Sequence, residues 1–447
     1  MIVMKFGGTS VESAVAIQRV AGIVKTRVDL KPVVVVSAMG KTTNKLLEIA
    51  KAAISGQRDA AINLLYRLRD FHLRESSMER TVEEHFQELT ELVKGLAILG
   101  ELTPRSIDAV SSFGERLSSL IVTRYFHLAG IPAVHVDSRK VIVTDKRFTQ
   151  AAPLFVETYR RLHETIPPLA EKNVVVMGGF IASTEDGVPS TLGRGGSDFT
   201  AAIVGAGIGA REIQIWTDVD GMLTCDPRVL PGGHRIKRIS FAEAAELAYF
   251  GAKVLHPATV VPAIERNIPV LILNSRRPGV EGTRITAEAI PTPNVVKSIA
   301  CKQNVAVVNV RSTRMFMAHG FLRHIFEVFE RFETPVDMIS TSEVSVSLTI
   351  DDLTRLDAIV AELSEFAEVI VDREQAIVCL VGENMRNTSG VGARIFGALS
   401  EVNVRMVSQG ASSLNLGFVV AGVDLQRAVQ ALHEEFFRDL DPEVFDA

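Results

Sequence analysis

Three cysteines in 447 residues are too few, and too widely spaced, to build a framework. Cys225, Cys301 and Cys379 form neither a disulfide pattern nor a metal-ligand spacing, which points to a reducing cytoplasm. No long basic run occurs and the net charge is −5, which argues against nucleic acid or an anionic membrane as partner. No apolar stretch is long enough to span a bilayer, and the N-terminal MIVMKFGG lacks the apolar core of a signal peptide. A Walker A loop is absent too, because in KFGGTS the lysine precedes the glycines. What remains is an ordinary globular composition, 47% hydrophobic and 23% charged, long enough for two or three domains.

The most informative stretch is 178–202, GGFIASTEDGVPSTLGRGGSDFTAA. It follows the apolar, β-branched run 174–177, which reads as a buried strand. Gly178 and Gly179 end that strand, a polar loop with Thr191, Arg194, Ser197 and Asp198 follows, and a helix begins near Phe199. Strand, Gly-rich loop and helix start together favour an anion. Arg194 adds a fork suited to carboxylate or phosphate, and Asp198 a charge that could orient a lysine, a metal or an amino group. The plain alternative is a long turn in which Ser197 or Asp198 caps the helix.

The same arrangement recurs. Residues 1–6 read as a strand broken by Gly7 and Gly8, with Thr9 or Ser10 capping a helix over about 11–28. Lys5 then stands at a strand tip, either reaching phosphate oxygens or merely solvated. Residues 32–36 form another strand opening into SAMGKTTN, where Ser37 and Thr43 can donate to a ligand, or Thr43 can cap the next helix. A charged helical pair is expected over 60–100. SSFGERLSS, 111–119, starts a further helix with Glu115 near its N-terminus, as an ammonium ligand or as an acid favoured by the helix dipole. Strand 213–216 leads into TDVDGMLTCDPR, which places Thr217 and Asp218 at its tip and Arg228 in a turn. Lys253 follows a helix over 241–251. Several polar strand tips on one edge of a parallel sheet mark a ligand site.

Strand and helix alternate through about 290 residues, which indicates one α/β domain, interrupted at IPTPN. Beyond it, residues 305–350 and 376–422 each run strand, helix, strand, strand. Small sheets with open edges tend to pair, so a dimer is expected.

Jointly, KFGGTS, SSFGERLSS, STLGRGGSDFTAA, TDVDGMLTCDPR and FGAKVLHP resemble aspartate kinase over essentially the whole chain. The C-terminal repeats look like its paired ACT domains, and most like the lysine-sensitive type. The resemblance implies a three-layer αβα sandwich with a mostly parallel sheet at 1–292, then two α+β ferredoxin-like ACT units at 293–372 and 373–447. It implies transfer of the ATP γ-phosphoryl group to the β-carboxylate of L-aspartate, with Mg²⁺ bridging phosphates, in a cytoplasmic homodimer or tetramer. Carried over by residue, Lys5 neutralises the phosphoryl group with Gly7, Gly8 and Ser37, while Asp198 holds Lys5. Arg194 takes the α-carboxylate, Glu115 the ammonium, and Thr43 and Ser197 seat the substrate. Thr217, Asp218, Leu223, Arg228 and Lys253 fall on the ATP side. An inhibitory L-lysine would meet Met315, Gly320, Phe321, Leu322, Asp337, Ser342 and Glu343.

Two positions depart from the pattern. Ala318 stands where the lysine-sensitive type has a serine, leaving the effector's identity open, and Leu223 replaces a tyrosine. The resemblance also implies that the first ACT unit is inserted in the second, with strand 305–310 pairing toward 376–420. A glutamate or acetylglutamate kinase is the runner-up, and an inactive amino-acid sensor the reading from another class.

Overall fold

The computed structural model describes residues 1–76, 78–251, 257–312 and 320–446. The chain divides into two compact units, 1–221 with 255–287, and 222–254 with 288–447. The segment 222–254 thus packs with the C-terminal part, although sequence order embeds it in the α/β part.

The first unit opens with β1 (Ile2–Phe6), α1 (Ala14–Lys25), β2 (Pro32–Val36), α2 (Thr42–Ile54), α3 (Arg58–Glu75), α4 (Glu79–Leu99) and α5 (Pro104–Leu128). It continues with β3 (Ala133–Val136), α6 (Ser138–Val141), β4 (Val143–Thr144), α7 (Phe155–Ala170) and β5 (Val174–Gly178). Then come β6 (Ile181–Thr184), β7 (Pro189–Thr191), α8 (Gly196–Ile208) and β8 (Ile213–Thr217). After β9 (Arg238–Ser240) and α9 (Phe241–Tyr249), which belong to the second unit, it closes with α10 (Val261–Glu265), β10 (Val270–Asn274) and β11 (Thr283–Thr286).

Six strands run parallel in the order β3-β5-β2-β1-β8-β10, and β11 joins β10 antiparallel. β1, β2 and β5 are buried along their whole length, as expected for strands covered on both faces. Alternation splits their side chains between two cores. Met4, Phe6, Val34, Val36 and Val176 join the core with α1 to α5. Val3 faces the other way, where α8 comes so close that a Cβ on Gly205 would lie 2.7 Å from Ile213. All parallel strands therefore end on one edge, and the loops there form the site.

Several boundaries differ from expectation. Helix α1 starts at Ala14, capped by Ser13 rather than Thr9 or Ser10, which form a 3₁₀ turn with Gly8. Helix α5 starts at Pro104 with Thr103 as its cap, which puts Glu115 in mid-helix rather than near the N-terminal dipole. Pro167 and Pro168 lie inside α7, near its end, instead of separating it from β5. Part of the expected polar loop is the β6–β7 hairpin.

The second unit adds β12 (Ser298–Arg311), α11 (Phe321–Arg331), β13 (Ile339–Thr341), β14 (Ser345–Ile350), α12 (Leu356–Leu363) and β15 (Glu368–Val381). It ends with α13 (Val391–Ala398), β16 (Met406–Gln409), β17 (Asn415–Ala421) and α14 (Leu425–Phe436). They form one antiparallel sheet, ordered β13-β14-β12-β15-β17-β16. The repeat is real, but β12 and β15 run through both copies: 298–302 pairs with 377–381, and 305–311 with 368–375. It is thus 298–302, not 305–310, that enters the second repeat.

Within this unit α9 is fastened firmly. Ser240 and Glu243 form a capping box, and Glu243 meets Lys297, both fully buried, at 3.0 Å. Glu246 accepts from Ser412 Oγ and Asn415 Nδ2, each at 2.7 Å. The three cysteines are free and buried. No helix among the described residues is long and apolar enough to cross a membrane.

Candidate active site

Three loops leave the carboxyl ends of β1, β2 and β5 and are packed on one another through glycine. A Cβ on Gly8 would lie 2.9 Å from the Gly40 carbonyl, and Gly40 N–H donates to Gly8 O at 3.1 Å. A Cβ on Gly179 would lie 2.6 Å from Ser197 Cβ, so β5 and the start of α8 touch only because Gly179 has none. Gly7 N–H donates to Trp216 O, which ties the first loop to β8. Ser37 N–H donates to Phe6 O, and Ser37 O accepts from Ser118 Oγ of α5 at 2.7 Å.

Side chains of opposite sign converge there. Lys5 Nζ lies 2.7 Å from Asp198 Oδ1, with both side chains largely buried. Asp198 sits in the first turn of α8, where a helix N-terminus favours an acid. The cap itself is Gly195, in the left-handed region and without a side-chain bond, so neither Ser197 nor Asp198 acts as N-cap. Arg194 precedes this cap, exposed and without an ion pair among the described residues. Ser197 is half-buried beside Gly179. Thr43 lies in the first turn of α2, whose cap is Lys41, so capping does not account for it. A Cβ on Gly114, next to Glu115, would lie 3.6 Å from Thr43 Oγ1.

Glu115 projects from the middle of α5. Its Oε1 accepts Ala38 N–H at 3.2 Å, while Oε2 is buried with no partner. Burial pushes the carboxyl up to about 8, and the Ala38 N–H only partly opposes the shift. A carboxyl that is 4% exposed and half unsatisfied is poised to receive a donor, and a cationic one would restore its charge.

Thr217 and Asp218 end β8, where the Thr217 hydroxyl donates to Asp218 and Thr217 O accepts from Ser275. Leu223 and Arg228 belong to the second unit. There Leu223 O accepts from Ser298 Oγ, and the exposed Arg228 forks onto Asp226 at 2.6 Å. Lys253, Met315 and Ala318 lie outside the described residues. Gly320 caps α11 with φ 87°, Phe321 is buried and Leu322 exposed. Ser342 shares a hydroxyl bond with Ser345, and Glu343 is exposed. Asp337 is engaged through one oxygen by Lys302 at 2.7 Å, while its other oxygen is buried without a partner.

One residue at this rim escapes sequence reasoning. Phe180 takes φ 64°, unusual for an aromatic residue, with its N–H held by Thr200 Oγ1. Its ring occupies the space that a side chain on Gly196 would need, at 2.7 Å. Its place between GG and an apolar run is the only linear signal.

Comparison with known proteins bears on this geometry. The amino acid kinase family profile matches residues 1–274, and an ACT domain profile matches 378–436. The chain is 40% identical to aspartokinase 2, chloroplastic, of Arabidopsis thaliana, covering 98% of this chain and 85% of that one. It is 36% identical to lysine-sensitive aspartokinase 3 of Escherichia coli, over 98% of this chain and 99% of that protein. Escherichia coli aspartokinase III solved with aspartate and ADP superposes with a TM-score of 0.82 at 36% identity, covering 98% of this chain and all of that one. The form solved with lysine and aspartate gives 0.86 at 35% identity, with the same coverage.

Proposed function

Since the chain belongs to the aspartokinases of the amino acid kinase family, it is an aspartate kinase, and we propose that the rim of its parallel sheet carries out the transfer. A β-carboxylate oxygen of L-aspartate forms a bond to the γ-phosphorus of ATP as the bond to the ADP oxygen breaks. The products are 4-phospho-L-aspartate and ADP. The nucleophile is already ionised at neutral pH, so no strong base is needed. The obstacle is the meeting of two anions, which calls for positioning and charge neutralisation.

The observation that carries this reading is the convergence of Lys5, paired to Asp198, with the half-satisfied Glu115 at the strand ends. Lys5 meets the charge that develops on the transferring group, and Asp198 orients Lys5. Gly7, Gly8 and Ser37 let the phosphates approach backbone. Glu115 receives the substrate ammonium and Arg194 its α-carboxylate, with Thr43 and Ser197 beside them. Thr217, Asp218, Leu223, Arg228 and Lys253 serve the nucleotide. Among the described residues no three His, Cys, Asp or Glu side chains converge as a metal cage. Mg²⁺ would bridge the nucleotide's phosphates, held chiefly by phosphate oxygens and water.

Residues 1–292 are assigned to catalysis, and 293–372 and 373–447 to regulation. L-lysine is the proposed inhibitor, binding around Met315, Gly320, Phe321, Leu322, Asp337, Ser342 and Glu343. The buried free oxygen of Asp337 suits its ammonium. β13 and β16 end the second sheet, and pairing across them would make a homodimer in the cytoplasm. An ADP-release assay with L-aspartate, L-glutamate and N-acetyl-L-glutamate tests the catalytic reading: turnover is expected with L-aspartate alone. The same assay titrated with lysine and with threonine tests the regulatory one, and inhibition by threonine alone would overturn it.

A further inference from the structure

Helix α5 carries a second buried acid that the reaction just described leaves unused. Asp108 is fully buried, two helical turns before Glu115. Its Oδ2 accepts the backbone N–H groups of Thr149 and Thr191, both at 2.9 Å, and its Oδ1 accepts the Thr191 hydroxyl at 2.6 Å. Burial raises its pKa, and these three donors work against the rise. No lysine or arginine among the described residues forms an ion pair with it. A buried carboxylate is costly unless hydrogen bonds compensate, and here every compensating bond comes from the loop at Thr149 and from Thr191, the last residue of β7, where the loop to Arg194 begins.

Both loops frame Arg194. Thr149 holds φ 72°, in the left-handed region. The Ala151 N–H donates to Thr191 O at 3.0 Å, closing the two loops on each other. Gly193 has φ 73°, and a Cβ there would lie 3.1 Å from Thr149 O. The backbone leading to Arg194 is thus set by contacts that meet at Asp108. Asp108 and Glu115 lie on one face of α5, about 10 Å apart along its axis.

We propose that Asp108 is a positioning residue for the substrate's α-carboxylate, fixing the 191–195 loop so that Arg194 stands at a set distance from Glu115. One rigid helix then sets the spacing between the ammonium seat and the carboxylate seat, which selects for a free α-amino acid. This rests on the proposed roles of Arg194 and Glu115.

The test compares L-aspartate with L-aspartic acid α-amide, which keeps the β-carboxylate but has a neutral group at the α position. Wild type should prefer L-aspartate. In Asp108→Asn, the KM for L-aspartate should rise about tenfold or more, as expected for lost bonds to a charged acceptor. The kcat and the KM for ATP should stay near wild type, and the α-amide should be little affected, so the preference shrinks. Thr191→Val should show a smaller effect of the same kind, and Thr191→Ser, which keeps the hydroxyl, should retain the wild-type preference. Thr191→Val carries the test alone if Asp108→Asn does not fold. Equal losses on both substrates would overturn the proposal, since general loosening does not distinguish them. Arg194→Ala is the control for the underlying reading and should abolish the preference. If it leaves the preference intact, the role of Arg194 falls, and with it the route from Asp108 to the substrate.

Discussion

With its pKa pushed up to about 8, the Glu115 carboxyl is protonated in roughly nine molecules of ten in the empty pocket at pH 7. An ammonium group brought to the unpaired Oε2 requires the carboxylate instead. Seating L-aspartate should therefore expel about 0.9 proton per site at pH 7 and almost none at pH 9. One pH unit below the pKa, the cost of that ionisation is about 1.4 kcal/mol, so affinity should improve about tenfold from pH 7 to pH 9. Calorimetric titration of L-aspartate, with an unreactive ATP analogue present, reads the proton count when repeated in buffers of different ionisation enthalpy. Glu115→Gln should abolish the release and weaken binding by about ten- to a hundredfold, the range for a bond to a charged group. Binding heats that do not depend on buffer at pH 7, or a release that persists undiminished in the variant, would refute the reasoning. The sign for stability is the reverse of the usual acid. A carboxyl raised on folding contributes fully below its unfolded value of 4.5 and loses that contribution as pH climbs through about 8.

Lys5→Ala should lower kcat by at least about a hundredfold, as for loss of a preorganised charge, and wild-type turnover would remove Lys5 from the mechanism. His72 is fully buried, and burial lowers its pKa from 6.5 to about 4. The unfolded chain therefore takes up the proton first, and stability should fall as pH drops from 6.5 toward 4, by up to about 3 kcal/mol. Urea midpoints at pH 7 and pH 5 read this, and His72→Leu should flatten the dependence. Lys297→Met should destabilise the second unit by about 3–5 kcal/mol, because it strands buried Glu243. Adding Glu243→Gln should restore part of that loss in urea denaturation, and a cost below about 1 kcal/mol in the single variant would show that the pair is not desolvated.

The central strands were readable because β-branched runs ending in glycine have few alternative conformations; β2 falls on the expected residues and β1 and β5 within one. Helix starts were harder. The first two turns of α5, 104–110, precede the motif around Glu115, and the Thr103-Pro104 start signal lies seven residues ahead of the motif's first serine, Ser111. The two prolines of α7 mislead because they lie in its last turn: each forfeits its own bond to the preceding turn's carbonyl, but only Leu169 and Ala170 remain helical beyond them. Lys5, Glu115, Arg194 and Asp198 were visible through their motifs. Asp108 was not, because its partners lie 41 and 83 residues away and no local spacing marks them. The packing of 222–254 with the C-terminal part was equally invisible, since its fastening through Glu243 and Glu246 is to residues far along the chain.

β12 and β15, fourteen residues each, thread both repeats of the second sheet. Neither repeat could therefore be excised, expressed alone or grafted elsewhere without leaving half of a strand bare. A truncation after residue 375 would strip 298–302 of its partner as surely as it removed the second repeat itself. Any redesign of this segment has to move both repeats as one piece.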